Sequence, residues 1–384
     1  MNPLRHPALI AAMMLAGFAG MPAQAAQPHL SQNAPNGQQA ARRATIELLF
    51  VLDTTGSMGG MLEGAKARIW GIVNDVLQQQ GNGGATIRVG LVAYRDRGDA
   101  YVTRITPLTD NLDAVYAQLM RFRAQGGGDG PEDVRSAMAE AVRVGGWSAP
   151  GPRTSQVLFL VGDAPPHNDY RNLPPTDTSA RNAATRGIIV NTIQCGDDAD
   201  TTRAWRTIAQ YGGGEYFAIA QDGGVDVVVT PYDEPLARLG EQIGGTYMAY
   251  GASDKRVARQ SAQVAMETSV AAAAPAAAKA ERALNKALND KAYDDSDLVQ
   301  QAESGKLALP QIAEAELPDS LRKLAPAQRQ VALDKAVAQR KALREQIVAL
   351  SKQREKYLAE QRGKGGSKGG FDAAVSHALA RQIK

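Results

Sequence analysis

The chain has 384 residues, 44% of them hydrophobic, and 43 Lys and Arg face 40 Asp and Glu. That length suits one large domain plus a second region, and a net charge of +3 argues against a nucleic-acid partner. A single cysteine, Cys195, excludes an intramolecular disulfide, and the four histidines are too scattered to form a zinc cluster.

Residues 1–25 have the pattern of a secretory signal peptide. Arg5 is followed by an apolar stretch, Ala8–Ala19, and by Ala23-Gln24-Ala25 as a cleavage site. The apolar stretch is short for a spanning helix of roughly 20 residues, although an uncleaved anchor is the alternative. No other apolar run reaches membrane-spanning length, so no integral membrane segment is expected in the mature chain. Secretion or a periplasmic location follows, and the one cysteine and few glycosylation sequons favour a bacterial source. Residues 26–43, rich in Gln, Pro, Asn, Gly and Ala, read as a flexible lead-in.

From residue 44 to about 250, apolar strands alternate with helical patterns. Strands are predicted at Thr45–Leu52, Thr86–Tyr94, Tyr101–Thr106 (an edge strand), Gln156–Val161, Gly187–Cys195 and Gly214–Ile219. Helices are predicted at Met61–Gln79, from a cap at Asp110 or Asn111 to Phe122, from Pro131 to Val144, at Ser179–Arg186, at Thr201–Tyr211 and at Glu234–Ile243. This alternation implies an α/β fold, a Rossmann-like, doubly wound and mostly parallel sheet. Cys195 lies in an apolar strand and reads as a buried structural thiol.

Chemistry concentrates at the strand ends. The first strand stops at Asp53, and Thr55 and Ser57 follow at alternate positions. All three present oxygen, the donor that hard cations prefer. Asp163 ends a later strand in Gly162-Asp163-Ala164-Pro165-Pro166-His167. Asp129 sits in the glycine loop Gly126-Gly127-Gly128-Asp129-Gly130-Pro131-Glu132-Asp133. A plain alternative is that these acids and hydroxyls only hydrogen-bond backbone in turns. Glu63 and Glu132 read as helix-start electrostatics, and His167 as a structural or supporting residue. Tyr94, Arg95, Asp96 and Arg97 fall on the same rim, as a partner surface or a solvated loop.

The segments Asp53-Thr54-Thr55-Gly56-Ser57-Met58, Gly127-Gly128-Asp129-Gly130-Pro131-Glu132 and Asp163-Ala164-Pro165-Pro166-His167 together resemble the three-loop metal-ion-dependent adhesion site of von Willebrand factor A domains, over about Thr45–Tyr247. They look like the hemicentin-like and alpha-kinase-associated subgroup. Thr55 replaces that family's first serine, and Asp129 stands where a threonine is usual. The resemblance implies a divalent cation, Mg²⁺ with Mn²⁺ or Ca²⁺ as alternatives, at Asp53, Thr55, Ser57, Asp129 and Asp163. It implies direct ligation by the two hydroxyls and a non-enzymatic role in binding a protein partner. Three carboxylates would hold the ion more tightly while weakening its pull on a partner's acid. A metal-dependent hydrolase at the same site and a scaffold acting through the helical tail are the competing functions. A haloacid-dehalogenase-type phosphatase fits poorly, because Thr55 occupies the position of its second acid, and no G-x-S-x-G elbow supports a serine hydrolase.

After about Gly251, Ala, Lys, Glu, Arg and Gln dominate, the composition of long helices. Residues 251–325 read as an Ala-rich helical linker region with helices near 254–272, 276–292 and 296–304. A long helix follows over 326–362, opened by Pro326 and closed near Gly363. Its seam of Leu333, Ala336, Arg340, Leu343, Ile347, Leu350, Arg354 and Tyr357 is heptad-like but interrupted by two arginines. Packing on its own chain and a homomeric coiled coil both remain open. Residues 363–384 read as a Gly/Lys linker and a short amphipathic helix carrying Phe371, Val375, Leu379 and Ile383.

Overall fold

A strand with apolar residues on both faces must be covered on both sides. In the computed structural model, which describes residues 44–80, 84–224, 228–365 and 370–383, that strand is β1, Ala44–Asp53, at the middle of a six-stranded sheet. The others are β2 (Ala85–Tyr94), β3 (Thr103–Thr109), β4 (Thr154–Gly162), β5 (Ile188–Cys195) and β6 (Gly213–Ile219). Their order is β3-β2-β1-β4-β5-β6, all parallel except β3, which runs antiparallel to β2 at the edge. The edge strand starts later than predicted and continues through Pro107, which an edge tolerates because it has a side with no ladder to complete.

Side chains alternate across β1. Ile46, Leu48, Phe50 and Leu52 face one core, with residues of helix α1 (Gly59–Gln80) and helix α2 (Leu112–Arg121). Leu49 and Val51 face the other, lined from α3 (Val134–Val144), α4 (Thr176–Thr185) and α5 (Ala199–Tyr211). Helix α3 begins three residues after Pro131, not at it. Asp133 caps the helix by accepting from the Ser136 N–H at 2.9 Å, which leaves Glu132 outside the helix.

Helix α6 (Asp233–Gly244) follows β6, and the region beyond it is helical: α7 (Ser253–Ala273), α8 (Ala276–Leu288), α9 (Leu298–Glu303), the short α10 (Asp319–Arg322), α11 (Pro326–Gly365) and α12 (Phe371–Gln382). The signal peptide and lead-in expected over residues 1–43, and residues 366–369 of the expected linker before α12, lie outside the described residues. The described residues from 44 onward form one compact unit. The stretch expected as a linker is therefore packed: α8 lies against α1 and α6, and α11 against α6 and α8.

The long-helix seam is spent on this chain. Leu343 and Ile347 pack with Leu236, Ile243 and Leu284, while Leu333 and Ala336 pack with Leu298, Val299 and Leu321. The two arginines that interrupt the seam are its polar anchors. Arg340, fully buried, pairs with the equally buried Asp297 and donates to Thr246 Oγ1 at 2.7 Å. Arg354 pairs with Asp233 at 2.6 Å and Glu281 at 2.5 Å. A third anchor joins the region to α2, where Arg282 donates to Asp113 Oδ2 at 2.6 Å and to Glu267 at 2.6 Å. Burial works against the Asp113 charge, but Arg282 and Lys286 outweigh it and hold this carboxyl below its ordinary range.

Helix α12 closes the first core beside α1, over β4, β5 and β6. Phe371 is fully buried with its ring 6.4 Å from that of Phe50, and Val375, Ala378 and Leu379 join the same cluster. Gln382 and the buried Asn191 of β5 exchange side-chain hydrogen bonds at 2.8 and 2.9 Å. Among the described residues no helix is long and apolar enough to cross a membrane.

Two substitutions test this arrangement. Phe371→Ala should cost about 3–5 kcal/mol in urea unfolding, the range for deleting a buried aromatic. Arg340→Leu should cost about 3–5 kcal/mol by leaving Asp297 buried without its partner, and adding Asp297→Asn should restore part of the loss.

Candidate metal centre

Three loops meet at the carboxyl ends of β1 and β4, where ligands bind in open α/β sheets. The first is locked by its own hydroxyls. Asp53 Oδ1 accepts from the Thr55 N–H at 2.8 Å and from the Thr55 hydroxyl at 2.6 Å, and Ser57 Oγ lies 3.3 Å from Thr55 Oγ1. Asp53 and Thr55 are buried and Ser57 is exposed, so this set opens to solvent through Ser57.

The second loop is sewn to the first by backbone. Gly56 N–H donates to Gly126 C=O at 3.1 Å and Gln125 N–H donates to Thr54 C=O at 3.0 Å. Gly127 has φ +79°, and a Cβ there would lie 3.2 Å from Glu132 Oε1 and 3.4 Å from Thr55 Cβ. That glycine thus lets Glu132 reach in beside Thr55. Glu132 is fixed to the third loop, its N–H donating to Pro165 C=O at 3.0 Å and its C=O accepting from the His167 N–H at 3.1 Å.

Asp163 follows β4. Its Oδ2 accepts from Gln221 Nε2 at 2.5 Å, and its backbone carbonyl accepts from Thr201 Oγ1 at 3.2 Å. A Cβ on Gly162 would run into the Tyr94 hydroxyl and come within 3.1 Å of Asp53 Oδ2, so β1 and β4 end in close contact.

The electrostatics are those of a site without a counter-charge. Asp53 Oδ2, Glu132 Oε2 and Asp163 Oδ1 are all buried and have no hydrogen-bond partner. Burial pushes the Asp53 carboxyl up to about 7, against the Thr55 hydrogen bonds and with help from Asp163. Burial, then the charges of Asp53, Asp96, Asp99 and Asp163, push Glu132 up to about 9. Buried carboxylate oxygens without partners, beside the Thr55 and Ser57 hydroxyls, are donors of the kind a hard divalent cation takes.

The structure thus brings Asp53, Thr55, Ser57 and Asp163 to one rim. It brings Asp129 to a different pair: the Asp129 carboxylate, largely exposed, lies 3.5 Å from His167 Nε2, which is also 3.5 Å from Asp96. Glu132, expected to serve the start of α3, instead turns into the first group. The signal was present in the tandem Glu132-Asp133, since one acid suffices for the cap. Tyr94, Arg95 and Asp96 are buried, not solvated. Arg95 ties the loops together by donating to Thr54 C=O at 3.1 Å and Arg123 C=O at 2.7 Å. Cys195 is buried in β5, and burial pushes its thiol well above the ordinary range, as in a structural thiol.

Residues 47–230, a little under half of the chain, match a profile of the von Willebrand factor A domain. Over 95 residues the chain is 37% identical to human von Willebrand factor A domain-containing protein 7, covering 25% of this chain and 10% of that protein. Over 133 residues it is 31% identical to alpha-protein kinase vwkA of Dictyostelium discoideum, covering 33% of this chain and 20% of the kinase. This chain therefore spans only a tenth to a fifth of the length of these curated relatives. A solved structure of proximal thread matrix protein 1 from the mussel byssus is similar over 47% of this chain and 43% of that one, at 12% identity and a TM-score of 0.35.

Gly162→Ala tests the contact between the strand ends. The added methyl should cost about 1–3 kcal/mol in thermal unfolding, as overpacking does. Tyr94→Phe in the same chain should recover stability, because it removes the hydroxyl that the methyl meets.

Proposed function

We propose that this is an exported protein, secreted or periplasmic after loss of residues 1–25, that binds a divalent cation at Asp53, Thr55, Ser57 and Asp163 and holds a protein partner at that rim. The observation that carries the proposal is the trio of buried, unpartnered oxygens on Asp53, Glu132 and Asp163. Mg²⁺ suits an all-oxygen set that retains several waters, with Mn²⁺ and Ca²⁺ as alternatives. When bound, the ion supplies positive charge to these carboxylates and an open coordination position at the surface.

Each residue has a role in this reading. Thr55 holds Asp53 by two hydrogen bonds, which orients the carboxylate and leaves Oδ2 free. Ser57, the exposed member, faces the partner. Gln221 restrains one Asp163 oxygen and leaves the other free. Glu132 adds a third nearby carboxyl to Asp53 and Asp163. With a cation bound, ionised Asp53, Asp163 and Glu132 would largely compensate its charge and so weaken its pull on a partner's acid. The role is non-enzymatic in this reading.

Calorimetric titration of the mature chain with Mg²⁺, Mn²⁺ and Ca²⁺ tests the proposal. Saturable binding is expected, and Asp163→Ala should abolish it for Mg²⁺. Captured partners should be released by chelation and absent with Asp163→Ala. A folded chain that binds none of the three ions would contradict it.

A further inference from the structure

Beside the first group lies a second set of donors, with nitrogen in it. His167 Nε2, Asp96 and Asp129 each offer one atom, and these three atoms lie within 4.8 Å of one another. The His167 side chain is only 9% exposed, and its Nε2 is buried with no hydrogen-bond partner. It faces Asp96 Oδ2 and Asp129 Oδ1, each at 3.5 Å. That spacing is long for a hydrogen bond to a carboxylate. It is close to the edge of a tetrahedron, about 3.3 Å for ligands roughly 2.0–2.1 Å from a central ion.

The surroundings orient these donors as a metal site requires. His167 Nδ1 pairs with Asp169 Oδ1 at 2.9 Å, a carboxylate on the far ring nitrogen that aims Nε2 inward. The imidazole is stacked on Tyr170 with ring centroids 4.1 Å apart. The Tyr170 hydroxyl donates to the two Asp96 oxygens at 2.9 and 3.0 Å and holds that carboxylate in place. The Arg97 guanidinium lies on the Tyr170 ring, 3.7 Å from its centroid, and is itself paired with Asp133 at 3.1 Å. Asp129, the exposed member, is free to close on an ion and leaves a position open to solvent.

We infer that Asp96, Asp129 and His167 form a second cation site, distinct from the all-oxygen group at Asp53, for a divalent transition metal of the Zn²⁺, Co²⁺ or Mn²⁺ kind. One imidazole and two carboxylates suit such ions better than Mg²⁺. Asp129 thereby belongs to this site, and Asp169 and Tyr170 are positioning residues. The site does not depend on the function proposed above, because none of its donors is shared with Asp53, Thr55, Ser57 or Asp163.

Co²⁺ reports ligand type and coordination number in its visible absorption. The full mature chain carrying Asp163→Ala should still bind one equivalent of Co²⁺ with a strong low-coordinate spectrum. Adding His167→Gln should remove that spectrum and weaken binding more than 100-fold. Asp169→Asn should weaken it 10–100-fold while keeping the spectral shape. Asp129→Asn, at an exposed side chain that the fold does not need, should also lose affinity, which guards against a misfolded His167 variant. Absence of Co²⁺ binding by folded Asp163→Ala protein would overturn the inference. So would an unchanged spectrum and stoichiometry after His167→Gln or Asp129→Asn. Loss of Mg²⁺ binding in Asp163→Ala with Co²⁺ binding retained separates the two sites.

Discussion

The Asp53 carboxylate is the constraint around which the domain is arranged. It terminates a strand buried on both faces, and one oxygen is satisfied by Thr55 while the other meets only protein. A lone buried carboxylate carries a desolvation cost that neutral neighbours do not offset. Here its neighbours include Asp163 and Glu132, which increase that cost. Natural folds retain such arrangements where function requires them. The glycines at 127 and 162 serve the same end, since side chains there would displace the acids they adjoin.

The helical region after Gly251 is part of the same body. Its attachment combines apolar packing with three buried or half-buried ionic anchors centred on Arg282, Arg340 and Arg354. Buried ion pairs add little net stability compared with apolar substitutes, but breaking one partner is costly, so they favour one arrangement over its neighbours. The pairs of Arg340 and Arg354 add directional contacts to the apolar packing of α11. Helix α12 then returns to the sheet and places Phe371 against Phe50. Its N-terminus docks at Gly223, whose C=O accepts from the Phe371 N–H at 3.1 Å, two residues after the Gln221 that holds Asp163.

Much of this was legible in the sequence because the strongest signals are local. The apolar run ending in Asp53, the cap at Asn111 and the glycine stops are short-range patterns, and the elements built on them agree with prediction within a few residues. The pairing of Asp53, Thr55 and Ser57 also follows from spacing alone. What escaped prediction depends on distant contacts. The arginines at 340 and 354 look like flaws in a helical seam until Asp297 and Asp233 face them. Glu132 reads as a helix-start acid until Asp133 takes the cap. Motif position groups Asp129 with Asp53, whereas its 3.5 Å approach to His167 Nε2, thirty-eight residues away, depends on the loops that meet at Glu132 and Pro166.

The most direct test of the central claim is an anomalous difference map from crystals grown with Mn²⁺. The account predicts a peak bonded to the Ser57 and Thr55 hydroxyls and facing the free oxygens of Asp53 and Asp163. A well-ordered domain whose map shows no peak there at saturating Mn²⁺, with Asp53 Oδ2 still unpartnered, would contradict it.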